Sequence, residues 1–174
     1  MADSPLAVHV HLIWSTNYVD GLLRPGHHAM LTTTFAVICR TQGATLLSNG
    51  GGADHVHLLI EIGRRTTVSS LVRELKLASA DRLRGPLGLP AFFQWQSGYA
   101  AFAVAEAALE GVKRRIETQD AHHESESYEG ELRSLFASCG TEGRGLRLFE
   151  SRDDALASGS RSPGADGDRL QNQL

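Results

Sequence analysis

Two stretches of strict alternation constrain this chain most. "AVHVHLIWS", Ala7 to Ser15, and "HVHLLIEI", His55 to Ile62, each repeat with a period of two residues, the period of a β-strand whose successive side chains point to opposite faces. In the first, Val8, Val10, Leu12 and Trp14 share one face, and His9, His11, Ile13 and Ser15 the other. In the second, Val56, Leu58, Ile60 and Ile62 form the apolar face, opposed by His55, His57, Leu59 and Glu61. Both strands thus carry a His-Val-His tripeptide whose histidines point away from the apolar side.

The segments between them supply the rest of a fold. "HHAMLTTTFAVICRTQG" predicts a helix stopped by Gly43, and "ATLLSNGGGAD" a short strand entering a glycine-rich turn. In "TTVSSLVRELKLASADRLRGP" a threonine cap precedes a stripe of Val68, Leu71, Val72 and Leu75, and Gly85-Pro86 ends the helix. "AFFQWQSGYAAFAV" predicts one or two short strands with a turn at Ser97-Gly98. "AEAALEGVKRRIETQDAHH" predicts a helix over 105–123, and "YEGELRSLFASCG" a last short one. The order strand, helix, strand, strand, helix, strand, helix is a split β-α-β pattern. The expected class is α/β, an α+β sandwich with a mostly antiparallel sheet of RRM-like or ferredoxin-like type. Its helices are expected on one face, leaving the His-bearing face open to a partner. Residues 1–145 form the expected domain, and 146–174, which lose aromatic and branched residues, an acidic disordered tail.

Charge narrows the partners. The net charge is −3, but residues 1–116 hold 11 Lys/Arg against 8 Asp/Glu, whereas 117–174 hold 6 against 12. The front of the chain can therefore present a basic face despite the acidic total. Two distant cysteines, Cys39 and Cys139, form neither a disulfide framework nor a zinc pattern. No run reaches the length of a membrane helix, and the start lacks the features of a signal peptide. A cytoplasmic protein with no membrane partner is expected.

Histidines at i and i+2 on a strand lie about 6.5–7 Å apart on one side and can converge on one metal ion if further ligands come from elsewhere. By spacing alone, either pair is better explained by a solvated sheet face. On the helix after Ala105, Arg115 and Gln119 are four apart and share a face, and a glutamine amide oxygen is a usable ligand. Lys113, Arg114 and Arg115 form a basic trio there. His122 and His123, adjacent on a helix, point about 100° apart and belong to the surface.

"ADHVHLLIEI", "TVSSLVRELKLASADRL", "FQWQSGYAAFAV" and "VKRRIETQDAHH" follow one another in the order and spacing of the single-tyrosine HUH transposases, the insertion-sequence and REP-associated tyrosine transposase type. "HLIWST", His11 to Thr16, resembles the first strand of that family, and the resemblance spans residues 8–138. It implies an RRM-like sandwich, a homodimer, and single-stranded or hairpin DNA as partner. It also implies a divalent magnesium or manganese ion held by His55, His57 and Gln119, and a helix tyrosine that attacks the scissile phosphate to leave a 5′-phosphotyrosine. The second His-Val-His is then the metal strand, and His9 and His11 are its neighbours.

One departure alters the expected function. Where the family reads V-R-R-Y-I-x-N-Q, this chain reads "VKRRIETQ", and Arg115 stands at the tyrosine position. A smaller one is Ala53 in place of a proline. Arginine stays protonated and has no lone pair with which to attack, though it can grip a phosphate bidentately. The expectation is a transposase-family DNA-binding protein that lacks the covalent step. The alternative is an active transposase or nuclease using Tyr128, Tyr99, Tyr18 or a metal-activated water. A third class, a metal protein without DNA, would need a four-histidine site that includes His9 and His11. Arg64, Arg65, Arg73, Lys76, Arg82, Arg84, Lys113, Arg114 and Arg115 are candidate phosphate contacts, and Trp95 and Tyr99 are core residues or base-stacking platforms.

Overall fold

The computed structural model describes residues 8–17, 21–118 and 128–140. Its elements run β1 (His9–Ser15), α1 (Pro25–Thr41), β2 (Thr45–Gly51), β3 (His55–Glu61), α2 (Val68–Arg84), β4 (Ala100–Val104), α3 (Leu109–Glu117) and α4 (Tyr128–Ser138), with one 3-10 turn at Glu106–Ala108. The four strands form one antiparallel sheet in the order β2-β3-β1-β4. This is the expected α/β class.

The alternation in β1 and β3 has the anticipated consequence. Val10, Leu12, Trp14, Val56, Leu58 and Ile60 point together into the main core, where Leu31, Phe35 and Cys39 of α1 and Leu71, Val72, Leu75 and Leu83 of α2 meet them. Trp14 sits edge-on to both Phe35 and Trp95. Thr67 caps α2 through its side-chain oxygen, which accepts from the Ser70 amide. Gly43, with φ of 72°, takes the left-handed turn that ends α1.

Two local details differ from the sequence expectation, and a third decides between one and two strands before the last sheet edge. The glycines of "SNGGGAD" continue β2 as far as Gly51 instead of forming a turn. The segment before β4 makes only an isolated bridge, Thr16 to Trp95, so one regular strand forms there. The helix expected over 105–123 begins as the 3-10 turn and is described as α-helix only to Glu117.

The larger correction concerns the second sheet face, which is covered. Ile13, Ala100 and Phe102 form a smaller core with Tyr128 and Leu132 of α4, against which Leu135 and Phe136 also pack. At the β2 edge α3 lies so close that a Cβ on Gly50 would collide with the Ile116 carbonyl oxygen. The stripe of Tyr128, Leu132, Leu135 and Phe136 on α4 must be buried against something, and the apolar Ile13 and Phe102 among the histidines supply the matching surface. His9, His11, His55 and His57 are consequently all buried.

Candidate functional site

The site lies between the sheet and this second helix layer. His55 and His57 occupy the start of β3, both about 1% exposed. Registry sets Ser15 opposite His55 and Ile13 opposite His57, so His11 lies one diagonal step away. His11 Nε2 is 2.9 Å from His57 Nδ1, and His55 Nδ1 is 2.7 Å from the Asp54 carboxylate. With Nδ1 of each ring engaged by a neighbour, Nε2 becomes the atom each can offer toward a common centre.

The third member of the cluster is Glu131 on α4. Among the described residues, ligand atoms of His55, His57 and Glu131 all lie within 4.8 Å of one another. Glu131 Oε2 is 3.5 Å from His57 Nε2, and Oε1 is 3.3 Å from Arg115 Nε. The carboxylate thus connects the β3 histidines to α3. Tyr128, one turn earlier on α4, stacks on His55 with ring centroids 4.7 Å apart. Gly50 makes the approach of α3 possible: it pairs with His57 across the β2–β3 ladder, and only its missing side chain lets the Ile116 backbone settle beside that histidine.

Burial, and secondarily the Arg115 guanidinium, push His11 from its ordinary 6.5 down to about 4. His11 is therefore neutral near pH 7, as its short contact to His57 requires of at least one of the two rings. Two imidazoles and a carboxylate are a suitable donor set for a divalent ion such as manganese, with more nitrogen character than magnesium usually selects. The residues present fit such an ion.

The other expected residues distribute unevenly. Gln119, His122, His123, Tyr18 and the tail from 146 lie outside the described residues. Arg115 reaches the cluster, with Arg114 exposed and Lys113 half-buried on the same short helix. Arg64 and Arg65 follow the far end of β3, roughly 20 Å or more along the strand from His55 at about 3.3 Å per residue. Arg73 projects from α2, on the opposite side of the sheet, and pairs with Glu74 at 2.8 Å. Lys76 is turned inward: its ammonium donates to the carbonyls of Gln96, Ser97 and Gly98 and lies over the rings of Trp14 and Tyr99. Its donors thus hold the chain leading into β4. Arg84 likewise pairs with Asp81 and donates to the Phe93 carbonyl. Trp95 is buried and donates to Ser79 Oγ, a core role, and Tyr99 packs on the same α2 side, away from the histidines.

Sequence reasoning missed Glu131. The available signal was its position: in "YEGEL" it falls at i+3 from Tyr128 and i−1 from Leu132, on the apolar stripe of α4, where an acidic residue needs a buried partner.

Comparisons with known proteins agree with this architecture. Residues 6–119 match the model of the family described as "Transposase IS200 like". A crystal structure from Deinococcus radiodurans R1, described as that of a candidate transposase, is 26% identical, with a TM-score of 0.53 over 69% of this chain and 96% of that one. A REP-associated tyrosine transposase bound to a REP hairpin shares the fold at 16% identity, with a TM-score of 0.52 over 71% of this chain and 74% of that one. No curated protein matches.

Proposed function

This chain belongs to the IS200-like transposases, and we propose that it is a DNA-binding member that grips single-stranded or hairpin DNA beside the His55–His57–Glu131 cluster without the covalent tyrosine step. The observation that carries the proposal is the contact of Arg115 with this cluster through Glu131. The family resemblance puts the nucleophile at position 115, and the side chain there does reach the cluster. A guanidinium in that place cannot attack phosphorus, since it has no lone pair to donate. It can hold a phosphate oxygen with paired N–H groups, and Lys113 and Arg114 extend the positive charge along α3. The hairpin complex of the structurally similar REP-associated transposase supports a hairpin as the partner. A homodimer and a cytoplasmic site of action belong to the same proposal, by kinship.

His55, His57 and Glu131 are the residues that would hold a divalent ion, manganese or magnesium, with Gln119 as the further ligand that kinship names. Such an ion would supply electrostatic attraction for, and polarisation of, a bound DNA phosphate. The protein's own contribution is orientation: Asp54 and His11 fix the two imidazoles, and α4 excludes water from them.

A second reading keeps catalysis, with Tyr128 as substitute nucleophile or water as attacking group. Its specific support is the stack of Tyr128 on His55. Incubating end-labelled hairpin DNA with the protein and manganese separates the two. The proposal expects a retarded complex on a native gel, with neither a denaturation-resistant protein–DNA band nor a cut strand. A covalent band lost in Tyr128→Phe would establish tyrosine chemistry, and cut DNA without such a band would establish hydrolysis.

A further inference from the structure

We propose that Arg115 is a built-in cation that competes with a divalent metal ion for the His55–His57–Glu131 cluster, so that in this chain the guanidinium and the ion oppose each other's occupancy. The inference rests on the proposal that these three residues can hold an ion. It adds a positioning and competing role for Arg115.

The Glu131 side chain is only 5% exposed, and a carboxylate so buried needs a counter-charge. His57 and Arg115 both face it. His57 can meet it as a neutral or a charged ring, whereas Arg115 is always charged. The two carboxylate oxygens are divided between them, Oε2 toward His57 and Oε1 toward Arg115. Arg115 thus already supplies the positive charge that the buried carboxylate requires. With a neutral side chain at 115, more of that requirement would fall to a bound ion or to a protonated His57.

Arg115 has two opposite effects on an incoming ion. By holding Oε1 it orients Oε2 toward the histidines, and outer partners of this kind typically change metal affinity by about 10–100-fold. Against this, its full positive charge repels a doubly charged ion across a single carboxylate, in surroundings where screening by water is reduced. The proposed balance is that this repulsion, which scales with the ion's double charge, outweighs the gain in orientation. Arg115 is 39% exposed, and its long side chain has solvent to turn into. Binding of an ion would therefore displace the guanidinium outward, toward solvent.

Titration of the full-length protein with cobalt(II), followed by calorimetry and by the visible absorbance of the bound ion, tests this directly. Arg115→Gln is expected to bind cobalt at least tenfold more tightly than the parent. The gain is expected to vanish in a Glu131→Gln background, and binding to be lost in His55→Gln. Arg115→Met, with circular dichroism and melting curves on every variant, guards against a folding defect in one substitution. Equal or weaker binding by both Arg115 variants, with binding still lost in His55→Gln, would overturn the competition while leaving the metal site in place. Absence of cobalt binding in every variant would overturn both. Retardation of hairpin DNA by the parent protein tests the DNA-binding proposal separately.

Discussion

His11 Nε2 lies 2.9 Å from His57 Nδ1, so the two His-Val-His tripeptides, 46 residues apart in sequence, meet in one hydrogen bond. The contact is buried, and it needs one ring to donate and the other to accept. Because the folded protein holds His11 near 4 while an unfolded histidine titrates near 6.5, the unfolded chain binds the extra proton between those values. Stability is therefore fully present above about pH 6.5 and is lost as the pH falls toward 4. The difference corresponds to about 3 kcal/mol for this group, to order of magnitude. Urea unfolding between pH 4 and 7 is expected to show the decline, with a shallower slope in His11→Gln.

Gly50→Ala tests how α3 is seated. An added Cβ would fall well inside van der Waals contact of the Ile116 carbonyl oxygen, a backbone atom that cannot rotate away, so the helix must shift. A loss of about 1–3 kcal/mol is expected, as in other overpacked interiors. Weaker DNA retention should accompany it, because Arg115 adjoins Ile116. Denaturation midpoints and gel retardation measure both; an unchanged midpoint would mean that α3 does not rest on this glycine.

The basic residues should divide by location. Alanine at Arg114 or Arg115 is expected to reduce the salt dependence of hairpin binding by about one counter-ion each. Alanine at Arg64, Arg65 or Arg73, remote from the cluster, should leave the slope unchanged. Lys76→Ala should instead lower the melting temperature, since its ammonium holds three carbonyls of the 96–98 segment. Fluorescence anisotropy over a range of potassium chloride concentrations reads the slopes.

Arg115→Tyr is expected to give a manganese-dependent covalent band with hairpin DNA that the parent protein lacks. The position faces the histidine cluster through Glu131, so the phenol would enter beside the groups that orient the phosphate. Denaturing gels after incubation with labelled DNA check it, and His57→Ala in the same background should abolish the band.

The alternation of apolar and other residues in β1 and β3 is enough to determine the sidedness of the sheet, since a period of two leaves one choice of face. The cap at Thr67 and the stripe from Val68 to Leu75 likewise determine α2, because capping and the 3.6-residue period are local properties. The same locality explains what the sequence leaves open. Glycines at 50 and 51 belong to a strand because β3 pairs with both, with α3 packed on Gly50. Whether the histidine face stays open depends on where α4 returns, which no local pattern records. The meeting of His11 with His57, and of Glu131 with His57 and Arg115, requires strand register and helix docking between residues far apart in the chain. Local pattern therefore settles which side of the sheet the histidines take. What they meet there is settled by long-range packing, which alone brings a carboxylate and a guanidinium to them.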